Sequence, residues 1–242
     1  NLSQQIVILM SILFPDNSDV TMHKESVYKN VSNYASLAYL EKHHKLVGPE
    51  GDFLRELTFH AHRIENRIPY SNASFFDSQM ALLEELGANK YYSFSAPTSM
   101  GKTFVLLSFI KSQIRNGTNE NFAIVVPTRA LLSEIANKII VEFADVLGDG
   151  CHKVITTTAA VQNGEKFIAV LTPERLYYAL LKQPDLLFSY IFIDEAHKIT
   201  DKDKRSIIYY KILDMLRGKP GAHIYFSSPV ILLHQLLERS DI

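Results

Sequence analysis

The feature that most restricts the fold of this chain is a strand, a tight loop and a helix around Gly101. The aromatic run 91–94 is typical of a strand, and the apolar run 104–110 is typical of a buried helix. Between them, residues 95–103 read Ser-Ala-Pro-Thr-Ser-Met-Gly-Lys-Thr. In such a loop the backbone N–H groups and the helix N-terminus point at one place, where they favour a polyanion. The sequence therefore predicts a phosphate-binding loop in an α/β sheet.

A pair of carboxylates completes the predicted site. The motif Asp-Glu-Ala-His begins at Asp194 and directly follows the apolar strand 190–193. A carboxylate that ends a parallel strand lies at the same sheet edge as the phosphate loop. From there Asp194 can hold Mg²⁺, mainly through water, and Glu195 can polarise an attacking water. Lys102 would contact the β- and γ-phosphates and Thr103 would ligate Mg²⁺. We therefore expect a nucleoside triphosphate to bind with Mg²⁺.

The two motifs resemble motifs I and II of superfamily 2 helicases. Ala96 stands where the general phosphate loop has Gly, and Pro97 fixes φ beside it, which indicates a specific loop shape. The resemblance implies an ATP-binding, RecA-like domain in which Lys102, Asp194, Glu195 and His197 are catalytic. It also implies that ATP is held by the loop residues Ala96, Pro97, Thr98, Ser99, Met100, Gly101, Lys102 and Thr103.

Two later segments resemble the nucleic-acid motifs of the same family. They are Val-Val-Pro-Thr-Arg-Ala-Leu at 125–131 and Leu-Thr-Pro-Glu-Arg-Leu at 171–176. Each places a threonine and an arginine at a helix start, where N–H groups can bind a strand phosphate. A threonine acting only as an N-cap would need no nucleic acid. The resemblance implies strand contacts at Pro127, Thr128, Arg129, Thr172, Pro173 and Arg175.

Two weaker matches concern the adenine base and the coupling of hydrolysis to movement. Phe-Asp-Ser-Gln at 76–79 resembles the adenine-reading motif, so Gln79 is a candidate base contact; the alternative is an exposed glutamine on a helix surface. Phe-Ser-Ser-Pro at 226–229 lies where the family has Ser-Ala-Thr, its motif III. The resemblance implies that His197 links the ATP site to this segment through Ser227, and it assigns coupling to Ser227 and Ser228.

Strand and helix patterns alternate from about residue 71 to the end of the chain. Apolar strands interleaved with helices predict a mostly parallel sheet covered by helices on both faces. We predict a helix over 78–86 and strands over 91–94, 122–126, 153–157, 167–171, 190–193 and 223–226. Residues 1–70 are predicted to be helical, with a break at 48–51, and carry no triphosphate chemistry. That region either binds a protein partner or covers one side of the 71–242 domain.

Composition sets the remaining limits. The net charge of −1 gives no large basic field to attract nucleic acid, so any strand must bind in a local groove. Cys151 is the only cysteine, which excludes an intrachain disulfide and favours an intracellular, cytoplasmic protein, or a nuclear one in a eukaryote. The apolar run near the start, 6–14, is too short to cross a bilayer, so no membrane partner is expected. The first residue is Asn, which suggests a piece of a longer protein.

These features predict the first motor domain of a nucleic-acid-dependent ATPase or helicase. The family's second RecA-like domain, with its arginine finger, is expected elsewhere in the same protein, and a chain limited to these residues is expected to be nearly inactive. One alternative is a duplex translocase or remodeller that does not separate strands. Another is an ATP-regulated binding module, for example in DNA repair or antiviral defence. DNA and RNA both remain open as substrates.

Overall fold

The structure is a computed structural model, and the chain divides into two compact units, 1–82 and 83–242. It describes residues 9, 13, 18–30, 36–37, 39–40, 53–68, 74–96, 100–148, 152–157, 164–199, 204–217, 219 and 221–229. Three predicted ATP-binding residues, Pro97, Thr98 and Ser99, lie outside the described residues, and so does the predicted helix break at 48–51.

The first unit is helical where it is described. It contains α1 (Ser18–Asn30), α2 (Phe53–Glu65) and the start of α3 (Asp77–Ala88). The end of α2 is fastened to the start of α3, because the Phe75 N–H donates to the Asn66 carbonyl at 2.8 Å and the Asn66 amide donates to Asp77 at 2.6 Å. The boundary near residue 70 and the role of this region stay predictions.

The second unit contains a six-stranded sheet in the order β1-β6-β5-β2-β4-β3, and every pairing is parallel. Its strands are β1 (Tyr91–Ser95), β2 (Phe122–Val125), β3 (Lys153–Ile155), β4 (Phe167–Leu171), β5 (Tyr190–Ile193) and β6 (His223–Ser228). Its helices are α4 (Lys102–Arg115), α5 (Arg129–Glu142), α6 (Pro173–Lys182) and α7 (Lys204–Arg217), with a 3₁₀ turn at Ala196–Ile199. The predicted α/β RecA-like fold is confirmed.

Element ends differ from the predictions at a few places. The strand predicted over 153–157 ends at Ile155, and α3 continues through Gly87 to Ala88. Glycine disfavours a helix interior by about 1 kcal/mol, which is too little to end a helix whose last turn is already formed.

Helices pack on both faces of this sheet. Every residue of β2 and β4 is buried, which is why these strands are apolar throughout and do not alternate. On one face, α6 and α7 share a core with alternate strand residues such as Ala123 and Ile191. On the other face, Phe109 of α4 packs its ring 5.2 Å from the Tyr190 ring.

The strand register brings the motifs that follow strands of the sheet to one edge. Ile193 at the end of β5 lies between Phe226 of β6 and Val125 of β2, and Val125 lies beside Leu171 of β4. Ser95 at the end of β1 is level with Ser228. Because all strands run the same way, the segments that follow them leave the sheet side by side.

Tyr225 fastens β6 to the loop before β1. Its buried hydroxyl donates to the carbonyl oxygens of Leu86 and Asn89, the latter at 2.9 Å, and burial raises the pKa of that hydroxyl above its usual 10.0. As the pH rises above 10, the Tyr225 hydroxyl therefore loses its proton in the unfolded chain before it does so in the folded chain. This difference lowers the free energy of unfolding at alkaline pH.

We expect Tyr225→Phe to lower the free energy of unfolding by about 1 kcal/mol at neutral pH, because buried carbonyls lose their donor. Urea unfolding measured at neutral and alkaline pH checks this, and the variant should lose less stability than the unmodified chain on alkalinisation. If the free energy of unfolding fell equally with alkaline pH in both proteins, the buried hydrogen bond of Tyr225 would be contradicted.

Candidate functional site

Gly101 and Lys102 end the phosphate loop in the predicted manner. Gly101 has φ 77° and ψ 37°, a left-handed conformation that a residue with a side chain adopts at a cost. Lys102 begins α4 and is buried, and its ammonium donates to the Ala96 carbonyl at 2.6 Å. The ammonium is thus held at the end of β1, and Lys102 itself lies at a helix start, where backbone N–H groups are not all used by the helix. This is the arrangement that binds phosphate.

The turn after β5 holds the two carboxylates in a constrained conformation. The Asp194 N–H donates to the Val125 carbonyl at 2.9 Å and continues the β5–β2 pairing by one residue. Glu195 then has φ 53°, a left-handed value that is uncommon for a non-glycine residue and costs about 1–3 kcal/mol. Burial of Ala196 and Ile199 in the core keeps the turn in place. The strain is concentrated at the residue predicted to orient water.

His197 lies beside Glu195. Its Nδ1 is 3.4 Å from Glu195 Oε2, and the two side chains are 27% and 24% exposed. The imidazole and the carboxylate are therefore close neighbours, and both side chains are partly accessible.

The end of β6 is bonded to both other motifs. The Ser227 hydroxyl donates to Asp194 Oδ1 at 2.6 Å, and the Ser228 carbonyl accepts from the Ala96 N–H at 3.0 Å. Sequence reasoning paired Ser227 with His197. In the structure the Ser227 hydroxyl makes its hydrogen bond to Asp194 instead. The strand register pairs Phe226 with Ile193, so the residues that follow them, Ser227 and Asp194, lie side by side. A contact between Ser227 and His197 stays a prediction.

Gln79 is neither an exposed surface glutamine nor a side chain without a structural role. It is 6% exposed, so the alternative of an exposed surface glutamine is wrong. Its Oε1 accepts from the Phe76 N–H at 3.0 Å, at the start of α3. A glutamine three residues into a helix that reaches back to the residue before it forms half of a capping box. Adenine recognition by Gln79 stays a prediction.

Capping and adenine recognition can be separated experimentally. We expect Gln79→Ala to lower the free energy of unfolding by about 1 kcal/mol through loss of this cap. Thermal unfolding measures the loss, and a competition between ATP and GTP measures base preference. A change in base preference with no change in stability would contradict the capping role.

The two predicted strand-binding threonines are both helix N-caps. Thr128 Oγ1 accepts from the Leu131 N–H at 3.2 Å, and Thr172 Oγ1 accepts from the Arg175 N–H at 3.4 Å. Thr128 is exposed, whereas Thr172 is 6% exposed. Pro127 and Pro173 are also buried, so they shape the backbone more than they offer surface.

The two predicted strand-binding arginines line one cleft. Arg129 and Arg175 border a volume of about 450 Å³ together with Ser133, Asn137 and Thr156. Arg175 also donates from Nη1 to the Thr156 carbonyl at 2.6 Å, which fixes its guanidinium at the end of β3. Sequence reasoning did not identify Ser133 or Asn137, although both follow Arg129 at helical spacing on one face of α5.

Arg205, which lies in none of the motifs described above, contacts two of them. Its Nη1 donates to the Pro127 carbonyl at 3.1 Å, and its Nε lies 3.0 Å from Glu174 Oε1. The contact with Pro127 spans 78 residues of sequence, and no local pattern indicates it.

The donors at this edge fit ATP with Mg²⁺. Mg²⁺ is usually held by one or two protein oxygens together with waters and substrate phosphates. In the part of the chain that the structure describes, no group of three or more His, Cys, Asp or Glu side chains could hold a metal by itself. Thr103 in the first turn of α4 and Asp194, which accepts from Ser227, would be the protein oxygens at such a site.

No helix among the described residues is both long and apolar enough to cross a membrane.

Comparison with known proteins identifies the family. The family model DEAD/DEAH box helicase matches residues 76–232. The chain is 28% identical over 184 residues to Anti-bacteriophage protein B of Escherichia coli strain K12, a match that covers 75% of this chain and 22% of that protein. It is also 33% identical over 122 residues to the Probable ATP-dependent RNA helicase DDX52 of Rattus norvegicus, covering 46% of this chain and 20% of that protein.

The chain thus spans about a fifth of the length of the curated relatives it matches. The family match covers more than half of this chain and includes the phosphate loop, the Asp-Glu-Ala-His turn and the segment at the end of β6. The structure brings these three segments into contact at one sheet edge. This chain belongs to the DEAD/DEAH box helicase family.

Proposed function

We propose that residues 71–242 are the first motor domain of a nucleic-acid-dependent ATPase that moves along or separates strands. The observation that carries the proposal is the bonding at the end of β6. Ser228 contacts the phosphate loop, Ser227 contacts Asp194, and the helix starts of α5 and α6 leave the same edge. A change at the triphosphate can therefore reach Asp194, whose N–H bonds the Val125 carbonyl at the end of the strand that leads to α5.

Each residue of the site has a separable task in this proposal. MgATP, when bound, supplies the phosphoanhydride whose hydrolysis drives the cycle. Lys102 and the N–H groups of α4 neutralise phosphate charge. Asp194, whose carboxylate accepts from Ser227, would hold Mg²⁺. Glu195 orients the attacking water and accepts its proton, and His197 steadies the Glu195 carboxylate.

The strand-binding groove is proposed to run past the helix starts of α5 and α6. Exposed Thr128 and Arg129, with Arg175 across the cleft, can contact successive phosphates without reading bases. DNA and RNA are both candidates, because phosphate contacts of this kind do not distinguish them.

Binding of a short, labelled single strand tests this groove. We expect weak binding with little preference for base sequence, and a slope of log affinity against log salt on the order of −2, as for about two or three neutralised phosphates. Anisotropy titrations with oligouridine and oligodeoxythymidine measure it. Replacing Arg129 and Arg175 together by Ala should weaken binding and flatten the slope, whereas unchanged binding would count against the groove.

The relative Anti-bacteriophage protein B favours one biological setting, defence against phage. In that setting the motor would act inside the cell, and the helical region 1–70 would recruit a protein partner or cover one side of the motor. Plaque counts on cells that express the protein, unmodified or as Glu195→Gln, test this. Equal protection by the variant would favour an ATP-regulated binding module over a motor.

A further inference from the structure

We propose that Arg205 is a positioning residue that holds two strand-binding loops at a fixed spacing. These loops are the β2–α5 and β4–α6 connections, each taken together with the first turn of its helix. The inference rests on the proposed strand-binding function of those loops. It assigns a task to a residue outside the matched helicase motifs.

The guanidinium of Arg205 bridges the two loops directly. One end donates to the carbonyl of Pro127, the residue before the Thr128 cap of α5. The Nε end pairs with Glu174 in the first turn of α6. A planar guanidinium carries five N–H donors in a fixed fork, so it can bond two acceptors in set directions at once. Arg205 therefore ties the backbone of one loop to a side chain of the other.

The position of the bridge fits a role in spacing. β2 and β4 are neighbours, with Val125 beside Leu171, so their loops leave the sheet adjacent to each other. Each loop carries one arginine of the cleft, Arg129 on α5 and Arg175 on α6. A strand that contacts both arginines needs them at the separation of its phosphates. The Arg205 bridge lies between the two backbones that set this separation.

The bridge is better explained by position than by stability. The Arg205 and Glu174 side chains are 49% and 41% exposed, and exposed ion pairs contribute little to folding. The Glu174 carboxylate also offsets the Arg205 charge, which lowers the attraction of this guanidinium for a phosphate. Its directional bonds to two loops remain as its main effect.

Arg205 also connects these loops to the catalytic turn. It lies in the first turn of α7, and α7 packs against both α6 and the 3₁₀ turn that contains His197. Tyr209 and Ile212 of α7 share a buried core with Ile199 of that turn. A shift of the turn during hydrolysis can therefore reach the loop spacing through one helix.

Salt titrations separate positioning from direct phosphate contact. In the complete protein, we expect Arg205→Ala to weaken binding of labelled oligouridine and oligodeoxythymidine roughly five- to tenfold, with no change in the slope against log salt. A direct contact would instead reduce the slope by about 0.7 for a single strand. A slope change of that size, or unchanged affinity, would overturn the proposal.

A double-mutant cycle with Glu174 adds an independent criterion. If Arg205 positions the loops, Glu174→Gln weakens strand binding, and the double variant binds no more weakly than Arg205→Ala. If Arg205 contacts phosphate, Glu174→Gln releases it and binding becomes tighter. Tighter or unchanged binding by Glu174→Gln would therefore reject the bridge.

Two further variants guard against trivial explanations. Arg205→Lys keeps the charge but lacks the fork, so we expect it to bind more weakly than the unmodified protein; full affinity would contradict the bridging role. Arg217→Ala removes an exposed arginine from the last turn of the same helix and should leave strand affinity unchanged. Loss of affinity in Arg217→Ala would mean that charge on α7 matters in general, and would reject the specific role of Arg205.

The same measurements separate failure of this inference from failure of the proposed groove. Weakened binding by the paired Arg129 and Arg175 variant, with no effect of Arg205→Ala, would remove only the positioning role. No effect of either would remove the groove, and with it this inference.

Discussion

Glu195→Gln is expected to bind ATP as tightly as the unmodified chain and to lose roughly 10²–10⁴-fold in turnover. The amide has nearly the shape of the carboxylate but cannot accept the proton of the attacking water. Glu195 lies in a left-handed turn beside His197 at the sheet edge. In the proposed site its task is therefore separable from phosphate binding, which we assign to Lys102 and α4.

Nucleotide affinity and single-turnover hydrolysis, measured in the complete protein with Mg²⁺, test this separation. Lys102→Ala should show the converse, with ATP binding weakened roughly 10- to 100-fold, because it removes a buried, charged hydrogen-bond donor. Glu84→Gln, an exposed change on α3, is the matched control and should alter neither quantity. Normal turnover in Glu195→Gln would discard the assignment of Glu195.

The second large effect concerns the arginine finger, which is expected on the family's second RecA-like domain. We expect a chain of these 242 residues alone to bind ATP but hydrolyse it very slowly, and addition of the family's second RecA-like domain to raise the rate roughly 10³–10⁵-fold. Three described arginines are engaged elsewhere in the fold. Arg115 pairs with Asp145, Arg175 bonds Thr156, and Arg205 bridges the strand-binding loops.

The rate of ATP hydrolysis should be compared for the short chain, for the short chain with the second domain supplied separately, and for the complete protein. Nucleic acid should raise the rate further only when both domains are present, because closing the cleft requires both. If the short chain hydrolysed ATP as fast as the complete protein with nucleic acid, the proposal of a two-domain motor would be rejected.

Much of this site is local in sequence and could be predicted from it. A phosphate loop is a continuous segment whose backbone geometry follows from Gly101, and the carboxylates directly follow an apolar strand. The fully buried strands β2 and β4 are continuous apolar runs. Such runs indicate a parallel sheet covered on both faces, whereas a sheet with one face in solvent has alternating apolar and polar residues. All six strands were predicted to within two residues at each end, because each is bounded by local turn chemistry.

The sequence did not reveal which polar group would meet which at the sheet edge. Ser227 bonds Asp194, where sequence reasoning paired it with His197, since only the β5–β6 register decides which side chains are adjacent. Gln79 is buried and caps its own helix. The helical pattern of the sequence does not predict this burial, because it depends on residues that pack around Gln79 in the folded chain.

The sequence by itself determined the phosphate loop, the Asp-Glu-Ala-His turn and the order of strands and helices along the chain, since each depends on residues that are neighbours in the chain. The tertiary structure alone decided that Arg205 joins Pro127 to Glu174 and that Arg129 and Arg175 share a cleft. Those contacts arise because parallel strands far apart in sequence become neighbours, so that loops with no local relation are placed within hydrogen-bonding distance of one side chain.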